Sequence, residues 1–281
     1  MLERIGVVGG GLMGSGIAEV CARAGCDVLI VESDAPAADA ARARIEKSVR
    51  RAAERGKILH PDDVLAKVRV GTDLDELADR ELIVEAIVEN EDAKVDLYTK
   101  LDKIAQPDAI LASNTSSIPI MKLAVVTQRP QQVLGIHFFN PVPVLKLVEL
   151  VPSLMTSEET TTRSRAFVEQ QLGKQAILCQ DRAGFVVNAL LIPFILSAIR
   201  MMESGFATAE DIDHGLVLGA AHPQGPLALA DLIGLDTTKA VAESLYDEFK
   251  EPLYAPPPLL LRMVSAGLLG RKAGRGFYTY E

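Results

Sequence analysis

The chain has 281 residues, 48% of them hydrophobic and 24% charged, a globular composition with room for two domains. A net charge of −9 argues against a general nucleic-acid binder or a protein held on anionic membranes. The three cysteines, Cys21, Cys26 and Cys179, have no metal-ligand spacing and an odd count; they read as structural thiols in a reducing cytoplasm rather than a disulfide framework.

Residues 5–8 form a short apolar run that predicts a buried strand, entered so early that no signal or transit peptide is expected. Gly9, Gly11 and Gly14 follow at G-x-G-x-x-G spacing, with Leu12 and Met13 between them, and residues 15–24 continue with helical periodicity. Strand, glycine turn and helix are the context in which this motif binds a dinucleotide. Gly9 permits the tight turn, Gly11 lets a pyrophosphate approach the backbone, and Gly14 lets helix and strand pack closely. The helix N-terminus adds free N–H groups and the positive end of its dipole. Residues 27–31 predict a second strand ending at Glu32, 18 residues after Gly14. That is close to the roughly 20-residue offset of the carboxylate that binds the adenosine ribose, and a carboxylate there favours NAD over NADP.

A helical segment from Ala35 to about Gly56 carries Arg42, Arg44, Lys47, Arg50, Arg51 and Arg55. Two readings compete: a solvated helix face, or a cationic surface for a polyanionic substrate tail such as coenzyme A. Further short strands are expected at 68–70 and 82–85, with a loop and short helix over the acidic stretch 73–81 between them. Asn90 reads as the N-cap of a helix reaching about Ile104. A buried strand at 110–112 ends in Ser113-Asn-Thr-Ser-Ser117, small polar residues where an open parallel sheet places its ligands. Strands at 133–138 and 144–150, joined by Asn140-Pro-Val-Pro143, a helix at about 157–172 and a strand at 175–178 complete an α/β half. The alternation predicts a doubly wound, mostly parallel sheet over residues 1–181. From about residue 182 the periodicity is helical throughout, predicting a second, all-helical domain over 182–281. The longest apolar run, 186–199, is interrupted by Asn188 and Pro193 and is too short to span a bilayer.

Of the four histidines, His137 stands near the end of a strand where a nicotinamide could approach it, and Glu149 lies in the next strand among apolar neighbours. A turn that joins the two strand ends would let Glu149 accept a hydrogen bond from one ring nitrogen. The other nitrogen is then left to exchange a proton with an alcohol substrate. A structural role for a lone strand histidine is the competing reading.

Five segments carry a family resemblance: Gly9-Gly-Gly-Leu-Met-Gly14, Val84-Glu-Ala-Ile-Val-Glu-Asn90, Ala112-Ser-Asn-Thr-Ser-Ser117, His137-Phe-Phe-Asn-Pro141 and Gly184-Phe-Val-Val-Asn188. Together with Gly270-Arg-Lys-Ala-Gly-Arg-Gly-Phe-Tyr278 they make the chain, over essentially its whole length, resemble the L-3-hydroxyacyl-CoA dehydrogenases, closest to the compact bacterial 3-hydroxybutyryl-CoA dehydrogenases. The resemblance implies that His137 is the catalytic base and Glu149 its carboxylate partner. It implies that Ser116 and Asn188 hydrogen-bond the substrate's 3-oxygen, and that Glu89, Lys94, Ser116, Asn140 and Lys272 serve the NAD site. Ser48 and Arg55 match a serine and a lysine that contact coenzyme A, with Arg55 a departure that keeps the charge but changes the donor geometry. The family fold is a Rossmann-type NAD domain with a helical hairpin inserted after the second strand, followed by a helical domain that makes a homodimer. Competing functions on the same scaffold are oxidation of another 3-hydroxy acid (3-hydroxyadipyl-CoA or a free sugar acid) and NAD binding without catalysis.

Overall fold

The computed structural model describes residues 1–280. The chain divides into two compact units, Met1–Asp181 and the part from Arg182 onward. In the first, the elements run β1 (Arg4–Val8), α1 (Leu12–Arg23), β2 (Asp27–Val31), α2 (Ala35–Glu54), α3 (Pro61–Leu65), β3 (Val68–Gly71), β4 (Leu82–Glu85), α4 (Glu91–Ile104) and β5 (Ile110–Ser113). They continue with α5 (Ile120–Ala124), β6 (Val133–Phe138), β7 (Leu147–Pro152), α6 (Glu158–Ala166) and β8 (Gln175–Leu178).

One eight-stranded sheet has the order β3-β2-β1-β4-β5-β6-β7-β8, so the chain doubles back at β1/β4 as a dinucleotide fold does. Its inner strands are buried on both faces: every residue of β4, β5 and β6 is buried, as a parallel sheet with helices on both sides requires. Neighbouring strands are parallel except β6 and β7. The reason is chain length. Only residues 139–146 separate those two strands, too few for the dozen or so a crossover needs, so β7 must return antiparallel.

Helix α2 starts at Asp34, whose carboxylate caps the Ala37 N–H at 2.8 Å, and it buries Ala38, Ala41, Ile45 and Val49 at helical spacing. The inserted hairpin returns through the single helical turn α3, so its second arm is far shorter than its first.

Two expectations from the sequence are corrected. The strand expected from Val144 begins at Leu147, because the Val144 and Leu145 N–H groups both turn back to the Pro141 carbonyl at 2.9 and 3.0 Å. The helix expected to reach Leu172 is α-helical only to Ala166. It then widens into a π turn, Phe167–Gln171, in which the consecutive Phe167 and Val168 are both buried.

The second unit holds α7 (Val187–Glu203), α8 (Ala209–Gly219), α9 (Pro226–Ile233), α10 (Leu235–Phe249) and α11 (Pro258–Ser265), packed around Ile195, Leu196, Ile199, Leu227, Leu245 and Leu260. The C-terminal glycine-aromatic motif is explained here. Buried Asp231 accepts the Phe277 and Tyr278 N–H groups at 3.0 and 2.9 Å and the Tyr280 hydroxyl at 2.9 Å. Asp213 takes the Leu227 and Ala228 N–H groups at 2.8 and 2.9 Å and the Tyr278 hydroxyl at 2.9 Å. A Cβ on Gly276 would come within 1.9 Å of an Asp231 carboxylate oxygen, so no other residue fits beneath that anchor. Among the described residues, no helix is long and apolar enough to cross a membrane.

Candidate active site

The glycine turn leaves β1 with Gly9 at φ +91°, a backbone region costly for any residue with a Cβ, and α1 begins at Leu12. A Cβ on Gly14 would lie 1.8 Å from the Gly9 carbonyl oxygen, whereas one on Gly11 would meet nothing within 4 Å. Gly14 is thus required for packing inside the turn, and the Gly11 side is open. Beside it lies a cavity of about 580 Å³ lined by Gly9, Gly11, Val31, Glu32, Ser33 and Ala86, among others. Glu32 Oε1 accepts the Gly10 N–H at 2.6 Å, which orients the carboxylate at the cavity wall with its second oxygen still available to a ribose diol. The open glycine face, the helix N-terminus and this carboxylate fit a dinucleotide without a 2′-phosphate.

At the C-terminal edge of β4 and β5 a buried polar chain organises the serine loop. Glu85 Oε2 accepts the Ser113 hydroxyl at 2.6 Å, and Glu85 Oε1 meets Lys94 Nζ at 2.6 Å. The same ammonium reaches Glu89 Oε2 at 3.0 Å. Glu89 Oε1 in turn accepts from the Thr115 and Ser117 hydroxyls at 2.6 and 2.9 Å and from the Ser116 and Ser117 N–H groups at 3.0 and 3.2 Å. Burial pushes Glu89 up, but Lys94, the Thr115 hydroxyl and the Ser116 N–H together outweigh it and hold the carboxyl below its ordinary value. The loop is therefore shaped from beneath by a carboxylate. Ser116 is held through its N–H, and its half-buried hydroxyl has no partner among the described residues.

On the neighbouring strands, antiparallel register sets His137 directly opposite Glu149. His137 Nδ1 and Glu149 Oε2 are 2.7 Å apart; the carboxylate accepts, so the ring hydrogen sits on Nδ1 and Nε2 is the nitrogen suited to proton exchange. Both side chains are buried, His137 at 5% and Glu149 at 0% exposure, and Phe139 packs a tilted ring 4.6 Å from the imidazole. Asn114 Oδ1 accepts the Phe138 N–H at 2.8 Å and so ties the serine loop to the end of the histidine strand. Burial first, then the nearby Glu149 and Asp181 carboxylates, push the Cys179 thiol up to about 12, which keeps it a protonated, inert neighbour.

The structure thus brings Glu89, Lys94, Ser116, His137 and Glu149 to the edge of the sheet where β4, β5 and β6 end and the antiparallel β7 begins, with Asn140 exposed just beyond β6. Lys94 is 1% exposed, its ammonium committed to the Glu85 and Glu89 carboxylates rather than open to a ligand. Ser48, on α2, gives its hydroxyl to buried Glu19 of α1 at 2.5 Å, and Arg55 is exposed at the end of α2. Asn188 stands half-buried in the first turn of α7, and Lys272 pairs with Asp236 at 2.6 Å within the second unit. Sequence reasoning passed over Glu85 and Asn114. Glu85 had a signal, a lone acid closing a strand whose other residues are all apolar; Asn114 had none beyond its place among the serines.

Comparison with known proteins gives the family. The family described as 3-hydroxyacyl-CoA dehydrogenase, NAD binding domain, matches residues 4–182, and its C-terminal domain matches residues 184–280. A 3-hydroxybutyryl-CoA dehydrogenase of Mycobacterium tuberculosis is 57% identical over 99% of both chains. The mitochondrial hydroxyacyl-coenzyme A dehydrogenase of Sus scrofa is 40% identical over 100% of this chain and 92% of its own. The crystal structure of the (S)-3-hydroxybutyryl-CoA dehydrogenase of Ralstonia eutropha superposes with a TM-score of 0.95 at 44% identity, covering 100% of each chain. With both of its halves matched, and a relative 57% identical over nearly the whole chain, the chain belongs to the 3-hydroxyacyl-CoA dehydrogenase family.

Proposed function

We propose that the protein interconverts (S)-3-hydroxyacyl-CoA and 3-ketoacyl-CoA with NAD, acting on short chains such as 3-hydroxybutyryl-CoA and acetoacetyl-CoA. The observation that carries the reading is the buried 2.7 Å contact between His137 Nδ1 and Glu149 Oε2 at the edge of the sheet where the dinucleotide turn opens. NAD, when bound, supplies the hydride acceptor or donor. In the oxidative direction His137 takes the 3-hydroxyl proton on Nε2, and Glu149 stabilises the imidazolium that forms. In the reductive direction the same imidazolium returns that proton. The Ser116 hydroxyl donates to the 3-oxygen and stabilises charge developing on it, with Asn188 as the second donor that the family resemblance assigns. Glu89 keeps the Ser116 backbone in place for this. Arg55, exposed at the end of α2, serves the coenzyme A phosphates.

The test is the absorbance change of NADH with acetoacetyl-CoA and longer 3-ketoacyl-CoA esters, with free acetoacetate as control. Turnover of the esters and not of the acid is expected; no turnover at any chain length sinks the reading, and equal use of the free acid removes the coenzyme A part of it. We also infer a homodimer formed through the helical unit, whose Leu190, Phe206 and Leu218 are 73%, 78% and 81% exposed. Sedimentation at the mass of one chain would refute it.

A further inference from the structure

Helix α2 turns one face toward the dinucleotide turn. Ala41 and Arg44 lie one helical turn apart on it, and a Cβ built on Gly10 would come 2.5 Å from the Ala41 Cβ, so the helix lies directly against Gly10. The polar groups of Gly10 are held at both ends. Its N–H goes to Glu32 Oε1 at 2.6 Å, while its carbonyl accepts from the Ser15 hydroxyl at 2.6 Å and from Arg44 Nη1 at 2.5 Å. Ser15 is buried in α1. Arg44 is an exposed side chain whose one hydrogen bond within the described residues reaches 34 residues back to this carbonyl, and it forms no ion pair there.

We propose that Arg44 is a positioning residue of the dinucleotide site, fixing the Gly10 peptide through its carbonyl so that the turn holds its binding shape before the cofactor arrives. Three consecutive glycines, Gly9 to Gly11, have more conformational freedom to lose than any other tripeptide, and each unfixed peptide must be ordered at the moment of binding. Glu32 fixes the N–H side of Gly10 and is committed to the cofactor as well. Ser15 and Arg44 fix the carbonyl side from two different helices, α1 and α2, and the guanidinium bond is charge-assisted. Preorganisation of this kind shows as affinity for the cofactor and leaves the chemical step untouched. It separates Arg44 from Arg42 and Arg50, which pair with Asp39, Glu46 and Asp62 along the hairpin, and from Arg55, which lies more than two turns further on.

The proposal rests on the glycine turn being the NAD site, and the experiment separates the two. NADH binding is titrated by fluorescence, without acyl substrate, for the wild type, Arg44→Met and Arg44→Lys. For Arg44→Met the dissociation constant is expected to rise about tenfold, equivalent to ~1.4 kcal/mol. At saturating NADH, kcat and the KM for acetoacetyl-CoA should stay within about twofold of the wild type, since only ground-state cofactor binding is altered. Arg44→Lys, which keeps a cationic donor, should recover part of the loss, and it serves as the folded control should Arg44→Met prove insoluble. An unchanged NADH affinity in Arg44→Met overturns the proposal. So does a loss confined to the acyl-CoA KM, which would return Arg44 to the coenzyme A surface. Failure of the wild type itself to bind NADH would instead strike at the site.

Discussion

Replacing His137 by Gln is expected to lower kcat by about 10²- to 10⁴-fold, the usual contribution of a positioned general base. The expectation follows from geometry. His137 is 5% exposed, so bulk water has little access to the ring and cannot readily take over the proton transfer. Its Nδ1 is engaged by Glu149 at 2.7 Å, which fixes both the tautomer and the orientation of the ring. Glutamine is close in size and can still donate to Glu149, so the fold and the glycine turn are preserved, but its amide cannot accept a proton at neutral pH. NADH binding, measured by fluorescence titration, should therefore stay near the wild-type value while turnover of acetoacetyl-CoA collapses. A variant that keeps more than about a tenth of the wild-type kcat would show that His137 is not the base, since less than one order of magnitude would then pass through it.

The second large effect concerns stability. Lys94→Met should destabilise the first unit by about 3–5 kcal/mol, because removing one partner of a buried ion pair leaves the other charge uncompensated. Here the abandoned group is Glu85, fully buried in β4, whose Oε1 meets Lys94 Nζ at 2.6 Å. The remaining donors to Glu85, the Ser113 hydroxyl and the Ile87 N–H, are neutral and cannot balance its charge. Methionine matches the length and burial of the lysine stem, so the loss reports the charge rather than a cavity. At about 2–4 °C per kcal/mol for a unit of this size, the melting temperature should fall on the order of 10 °C. Adding Glu85→Gln to Lys94→Met removes the stranded charge and should recover a large part of the loss. Urea unfolding of the three proteins decides the matter: a Lys94→Met midpoint indistinguishable from wild type would mean that the pair contributes nothing. Glu89 would also lose its cation, and the Ser113 to Ser117 loop would lose rigidity with it.

Lys94 also marks where the sequence stopped being informative. The glycine spacing, the Glu32 offset and the apolar runs of β1, β2, β4, β5 and β6 were legible because each depends on residues close together in the chain or on a period set by the backbone. The pairing of His137 with Glu149 was legible as a possibility. Eight residues containing two prolines can only return antiparallel, and the two side chains then meet if the register places them opposite, as it does. The start of β7 differs from the expectation because Val144 and Leu145 carry apolar side chains compatible with a strand. Their backbone hydrogen bonds, which turn back to Pro141, are invisible in composition. The π turn after Ala166 escaped for the same reason: helical periodicity does not record one extra residue in a turn.

By itself, then, the sequence determined the dinucleotide-binding half, the preference for a ribose without a 2′-phosphate, the change to helices near residue 182 and the candidate base. All of these are written in short-range spacing or in residue chemistry. Only the tertiary structure decided which polar groups meet across long stretches of chain. Lys94 lies between Glu85 and Glu89 rather than open to a ligand, Glu89 holds the Ser116 backbone, Asn114 ties that loop to the histidine strand, and Arg44 reaches the Gly10 carbonyl. Those contacts depend on strand order, register and the direction in which each side chain leaves its element. Burial then determines their strength, since a charge enclosed by protein must find its partner there, where an exposed one can rely on water.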